Sequence, residues 1–280
     1  MPVASIGDLG DPRLDDFTRR TDVDLRAGGK TRGSSLYVAE SLIVLERALR
    51  AGHQPRAALA VDSSVDAVVA LLLEHGAVDI PVFTGPEDVL AGLTGYALHR
   101  GVVASLHRPE QPTLSAVLAG DTVLAGTAHS ARRLVIIENV ADPTNVGAIF
   151  RSVAGIGADA VLVTESCADP FYRRAIRVSM GTVLQVSWTR APGWDALGPA
   201  LHAAGFATVA LALTPEAVSL RSYAATAPDR VALVLGNEAA GLSAEALAAA
   251  DVHVQVPMRH GVDSLNVAAA AAVAIYALTD

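Results

Sequence analysis

Three stretches in the C-terminal half of the chain hold residue types that could do chemistry. The first, residues 139–151, contains Asp142-Pro143-Thr144-Asn145 and ends on Phe150-Arg151. A proline so placed suits the first turn of a helix. Asn145 and Arg151 then fall in the opening turns, where outward backbone N–H groups can bind an anion. Val146, Ile149, Phe150 and Val153 recur at i, i+3, i+4 and i+7 and give that helix a core face. Arg151 lies about 100° further round than Phe150 and can point towards a cleft. The second stretch, 235–243, follows an apolar run. Gly236 permits either a close ligand approach or a positive φ. Glu238 places an acid just past the carboxyl end of a strand, where ligands of parallel sheets bind. Ser243 is a natural N-cap. No Lys-Ser/Thr pair follows Gly241, so the spacing is not that of a phosphate-binding P-loop. The third stretch, 256–267, ends a strand at Pro257 and opens a helix near Ser264, which is expected to cap it. Asn266 is a poor interior helix residue, so a polar role at a site is expected of it. His260 reads as a loop histidine. Each stretch alone reads equally well as an ordinary capped helix or strand–turn–helix link.

These residues need a frame to position them. From 134 onward, strands at 134–138, 160–164, 183–187, 206–212, 231–235 and 253–256 alternate with helical patterns, which predicts a mostly parallel sheet covered on both faces. A smaller α/β unit precedes it, with a helix over 42–49, strands at 57–61, 80–84 and 102–106, and a second helix over 65–74. Residues 1–35 read as a charged leader with one short helix and a glycine-rich tip, Gly28-Gly29-Lys30-Thr31-Arg32-Gly33. Pro109-Glu110-Gln111-Pro112 marks a boundary, and 109–133 reads as a connector with one helix near 114–118. The expected organisation is a leader at 1–35, a small α/β domain at 36–108, a linker at 109–133 and the main domain at 134–280.

Composition narrows the classes. The chain has 280 residues, 51% of them hydrophobic, enough for one large core or two smaller ones. No basic segment followed by an apolar one opens it, and its last apolar stretch reads as a packed helix. A cytoplasmic protein with no membrane span is therefore expected. Cys167 is the single cysteine, which excludes an internal disulfide and a cysteine-based metal cluster, and no metal is expected. The net charge of −8 argues against a surface coated all over in nucleic acid, but not against a local basic patch. All but one of the 21 basic residues are arginines, whose forks can hold phosphates with two hydrogen bonds.

In this order, the three stretches resemble motifs 1, 2 and 3 of the SpoU (TrmH-like) family of RNA 2′-O-ribose methyltransferases, of the SPOUT superfamily. The resemblance covers 134–278. Val178-Ser179-Met180-Gly181 resembles that family's Ser-x-Gly step between motifs 1 and 2. The N-terminal unit is similar to the small RNA substrate-binding domain of many members, at 35–49, at Leu93-Thr94-Gly95 and at Gly101-Val102-Val103-Ala104. The resemblance implies a trefoil-knotted α/β domain working as a homodimer, with S-adenosylmethionine held in the knot largely by backbone groups. By position, Gly236, Val256 and Leu265 match the family's cofactor contacts, with Thr214 as a further candidate. Asn145, Arg151, Glu238, Ser264 and Asn266 match its catalytic and substrate positions. Ala239 stands where a glycine is usual, and Ala268 where a serine is common.

The implied acceptor is a ribose 2′-hydroxyl, in 23S ribosomal RNA or in transfer RNA. The family reading assigns removal of its proton to the motif 1 arginine, here Arg151. A guanidinium holds its proton firmly, so a phosphate grip with stabilisation of a developing alkoxide serves equally well. Glu238 could orient Asn145 or Arg151. Arg132, Arg133, Arg173, Arg174 and Arg177 are candidates for the RNA backbone, and the same arginines also read as solvated faces. Two rivals stand. Gly155-x-Gly157 is the nearest approach to a dinucleotide fingerprint, yet it follows a helix instead of opening one. A non-catalytic RNA-binding relative would not need Asn145, Arg151, Glu238 and Asn266 together.

Overall fold

The computed structural model describes residues 1–7, 9–18, 20–27, 35–95, 98, 100–120, 130–237 and 239–279. Glu238, the tip at 28–34 and most of the connector's second half therefore lie outside the described residues. The chain forms two compact units, Met1–Glu110 with Phe171–Leu184, and Gln111–Pro170 with Gln185–Asp280.

The first unit is built on strands β1 (Val3–Ser5), β2 (Leu36–Glu40), β3 (Pro55–Val61), β4 (Val82–Gly85) and β5 (Val102–His107), in the order β1-β4-β3-β5-β2. β1, β4 and β3 run parallel, whereas β5 is antiparallel to both β3 and β2. Helices α1 (Asp22–Arg26), α2 (Leu42–Arg50), α3 (Val65–Glu74) and α4 (Glu87–Thr94) complete the part before residue 111. A reciprocal Thr21–Asp24 capping box opens α1, and Gly95 in the left-handed region closes α4. Residues 1–35 hold more order than one short helix. Val3–Ser5 pairs with β4, and Leu14, Phe17 and Leu25 are buried in the core with Leu59, Phe83 and Leu90. These apolar residues sit singly among charges, so no local period announces them.

Among the described residues, the second unit carries a seven-stranded, all-parallel sheet. Its strands are β6 (Arg133–Ile137), β7 (Ala160–Val163), β8 (Ser187–Arg190), β9 (Ala207–Leu211), β10 (Val218–Ser219), β11 (Val231–Leu235) and β12 (Val252–Gln255), in the order β10-β12-β9-β11-β6-β7-β8. Helices α5 (Leu114–Ala119), α6 (Pro143–Ile156), α8 (Trp194–Ala203), α9 (Leu220–Ala224), α10 (Ala244–Ala249) and α11 (Val267–Leu278) surround it. α7 (Arg173–Val178) belongs to the first unit. On β6, Leu134 and Ile136 join Val117, Leu118, Leu197, Leu201 and Phe206 in one core layer. The alternate residues Val135 and Ile137 are also buried, so the strand is apolar on both faces, as a doubly covered parallel sheet requires. The strand expected at 183–187 is instead a 3-10 turn, Thr182–Leu184, with β8 starting at Ser187. Leu184-Gln185-Val186-Ser187-Trp188 alternates apolar with polar residues as a strand does, so the local period sets the start of the strand too early.

Candidate active site

The site is assembled at the carboxyl ends of three neighbouring strands, β12, β9 and β11. A pocket of about 450 Å³ opens there, lined among others by Leu211, Thr214, Gly236, Asn237, Val256, Ser264, Leu265 and Val267. All four residues expected to touch a cofactor, Thr214, Gly236, Val256 and Leu265, face this one cavity, and Ser264 joins them. Its walls mix aliphatic groups with a few polar ones, including Gln255 and Asp263, and its size is that of a small-molecule site.

Gly236 lines the cavity, and the structure adds a backbone reason for the glycine there. It has no positive φ. A Cβ there would lie 2.6 Å from the backbone carbon and oxygen of Gly241 and 2.8 Å from the amide of Leu242. The chain returns against Gly236 because Asn237 N–H donates to the Gly241 carbonyl at 3.0 Å and Gly241 N–H to the Asn237 carbonyl at 2.9 Å. The Asn237 carboxamide oxygen takes the amides of Ala239 and Ala240, at 2.8 and 3.0 Å. Ala239, where the family pattern has glycine, sits in this turn.

Asn145 and Asn266 come together. Asp142 caps α6 through the Thr144 amide, Pro143 opens the helix, and Asn145 follows in its first turn. Asn266 Nδ2 donates to Asn145 Oδ1 at 2.9 Å, across 121 residues of sequence. The same side chain caps α11, its Oδ1 accepting from the amides of Ala268 and Ala269. This corrects the expectation that Ser264 caps the helix: Asn266 is the cap. Asn266 takes the extended backbone of a cap, φ −51° and ψ 139°, which frees Ser264 to line the pocket. Arg151 is exposed on α6. Glu238 falls outside the described residues.

Thr214 is held from behind. His253 Nδ1 lies 3.0 Å from Thr214 Oγ1 and 3.0 Å from Glu216 Oε1, while Nε2 faces the Leu247 carbonyl at 3.0 Å. The arginines expected to hold RNA are divided between the units. In the second, Arg132 pairs with Asp229 at 3.1 Å, and Arg133 reaches the carbonyls of Leu278 and Asp229, closing the end of α11. In the first, Arg173 pairs with Asp22 at 3.3 Å and Arg177 with Glu40 at 2.9 Å, with Arg174 between them on α7.

Sequence reasoning passed over Glu138. It follows β6, is 4% exposed, and takes three hydrogen bonds: from the Trp194 indole at 2.6 Å, and from the Ser243 amide and hydroxyl, both at 2.8 Å. The Ser243 cap was visible in the sequence; its carboxylate partner, 105 residues away, was not.

A parallel sheet with its pocket at the strands' carboxyl ends defines an α/β ligand-binding fold. Residues 132–276 match the SpoU rRNA Methylase family, and with this match the chain belongs to that family. It is a methyltransferase of the SpoU class. An uncharacterized tRNA/rRNA methyltransferase of Mycobacterium tuberculosis is 39% identical over 100% of this chain and 92% of its own length. The 23S rRNA guanosine 2′-O-methyltransferase of Bacillus subtilis is 29% identical over 69% of this chain and 75% of its own. The crystal structure of an AdoMet-bound rRNA methyltransferase from Sinorhizobium meliloti shares the fold, with a TM-score of 0.77 over 99% of this chain and 97% of that one at 24% identity.

Proposed function

We propose that this protein transfers a methyl group from S-adenosylmethionine to a ribose 2′-hydroxyl of RNA, with 23S ribosomal RNA as the substrate, and that it works in the cytoplasm as a homodimer whose second unit is trefoil-knotted. The observation that carries the reading is one cavity lined by Thr214, Gly236, Val256, Ser264 and Leu265, flanked by the Asn145–Asn266 hydrogen bond. The residues present fit the cofactor. Aliphatic walls suit an adenosine, exposed loop backbone suits its polar edges, and Asp263 offers a counter-charge to a cationic donor. Bound there, S-adenosylmethionine would supply a methyl already activated by its sulfonium charge.

The chain's own residues supply placement. Asn266 fixes the Asn145 carboxamide at the mouth of α6, next to the positive end of that helix, where a phosphate or developing alkoxide is favoured. The exposed Arg151 guanidinium grips the RNA phosphate through its fork. Glu238 orients Asn145 or Arg151. Holding hydroxyl and methyl donor in line is the main source of rate in such a transfer. A 23S target is supported by the B. subtilis relative and by the additional N-terminal unit. A dimer is supported by α11, where Ala269, Val273 and the 75%-exposed Tyr276 form an apolar stripe on the solvent side.

The test is methyl transfer from labelled S-adenosylmethionine to ribosomal RNA of a strain lacking the gene, with the product mapped by its resistance to alkaline cleavage. One new alkali-resistant linkage in 23S RNA is expected. Label on a base, or on transfer RNA alone, overturns the reading.

A further inference from the structure

We propose that the corner Glu138-Asn139 is a clamp on the pocket loop 236–242, which makes Glu138 a positioning residue for the cofactor. The inference rests on the cofactor reading above. The loop supplies Gly236, Asn237, Ala239, Ala240, Gly241 and Leu242 to the cavity wall. Its internal bonds close it into a turn but do not place that turn. Placement comes from two neighbouring residues of one corner. At the start of the loop, Asn237 Nδ2 donates to the Asn139 carbonyl at 2.9 Å. Asn139 aims that carbonyl from the left-handed region, φ 57°, a conformation asparagine tolerates. Just past the end of the loop, Ser243 gives both its amide and its hydroxyl to the Glu138 carboxylate.

Three donors converge on a carboxylate that is almost wholly buried, and it has nothing to donate in return. A neutral amide at 138 would turn an N–H₂ towards one of them and leave a buried donor unpaired. The Ser243 hydroxyl also accepts from the Ala246 amide, so the same contact seats the first turn of α10. The third donor, the Trp194 indole, belongs to α8, which supplies no residue to the pocket wall. Glu138 thus has one bond that leads to α8 alone and two that lead to the loop and the start of α10, and the two kinds can be cut separately.

The experiment is calorimetric titration of the full chain with S-adenosylmethionine and S-adenosylhomocysteine, beside amide hydrogen exchange over 236–243 without ligand. Glu138→Gln is expected to weaken binding about tenfold to a hundredfold and to speed exchange in the loop. Ser243→Ala is expected to do the same to a smaller degree. Trp194→Phe is expected to lower the melting temperature while leaving affinity and loop exchange as in wild type. Should Glu138→Gln not fold, the contrast between Ser243→Ala and Trp194→Phe decides alone. Wild-type affinity and wild-type loop exchange in Ser243→Ala overturn the clamp. So does an equal loss of affinity in Trp194→Phe, which would mean general softening of the unit. If wild type itself gives no heat with either ligand, the cofactor reading falls and the clamp's role in binding falls with it. Loop exchange would then still report whether the corner holds the turn.

Discussion

In the first unit Asp16 lies buried between the Arg56 guanidinium and the Ser105 hydroxyl, each at 2.9 Å, and the Tyr37 hydroxyl meets His53 Nδ1 at 2.7 Å under the Phe171 ring. In the second unit the Asn237 and Asn266 carboxamide oxygens take backbone N–H groups of segments that wall a pocket, and Glu138 takes the Ser243 amide beside two side-chain donors. Side chain meets side chain in these pairs of the first unit, whereas in the second unit side chains also hold backbone. Pairs of the first kind tie flanking segments, those of Asp16 and His53, to strands of the sheet. Contacts of the second kind give irregular chain a fixed shape, which a ligand site at strand ends needs because no ladder supports it there.

The sharpest way to break this contrast is at Gly236. A methyl group at 2.6 Å from the Gly241 backbone cannot be absorbed by a rotamer change, so the loop must move. Gly236→Ala is expected to weaken S-adenosylmethionine binding by at least about a hundredfold, the equivalent of roughly 3 kcal/mol. Gly155→Ala, in the same unit but with open space at its Cβ, should bind as wild type and be no less stable. Calorimetry on the pair checks both halves.

The second prediction belongs to the first unit. Burial lowers the His53 pKa from 6.5 to about 4. The folded chain keeps this imidazole neutral while the unfolded chain protonates it, so the unfolded state binds more protons between these two values. Stability is therefore complete above about pH 6.5 and is lost progressively as pH falls towards 4, by at most about 3 kcal/mol. Urea unfolding at pH 7 and pH 5 measures it. His53→Gln should flatten the dependence, and an unchanged slope would show that other groups cause it.

Asn266 sharpens the contrast within the site, since one side chain does two things. Asn266→Ala removes the α11 cap, at about 1 kcal/mol of stability, and releases Asn145. Asn266→Asp keeps an oxygen for the Ala268 and Ala269 amides but sets a carboxylate against Asn145 Oδ1. Stability near wild type with a kcat lowered about tenfold or more in the aspartate variant would separate the roles. Equal activity in Asn266→Asp and wild type would leave Asn266 a cap and nothing else.

The parts of this arrangement visible in the sequence were those written in adjacent residues. Strand–helix alternation after 134, the Asp142-Pro143 helix start and the Ser243 cap each sit within a few positions, and the pocket residues were those that the resemblance to the SpoU family implied. What stayed hidden depends on distant partners. β1 exists because β4 offers it an edge, and the Glu138 carboxylate is explained only by Ser243 and Trp194. Ser264 and Asn266 are both good caps, and local preference cannot choose between them. The choice is made where the chain leaves the pocket, with Asn145 waiting for the Asn266 amide. Gly236 was noticed for its type, but the returning backbone of Gly241, which a side chain there would meet, was not visible.

The smallest expected effect lies on α7. Arg177 is 46% exposed on its side chain and reaches Glu40 at 2.9 Å. Exposed pairs of this kind contribute about 0–1 kcal/mol, because solvent screens them and two flexible side chains must be ordered. Arg177→Ala should therefore shift stability by less than about 1 kcal/mol. If this arginine also neutralises an RNA phosphate, its removal should reduce the slope of log affinity against log salt by about one. Arg133→Ala should do the reverse: its guanidinium is occupied by the carbonyls of Leu278 and Asp229, so stability should suffer while the salt slope stays close to wild type. Filter binding across a salt series, beside melting curves, reads both. If the two variants behave alike, the division between fastening arginines and RNA-facing arginines does not hold, and a basic side chain's partners in the free protein say nothing about its work on RNA.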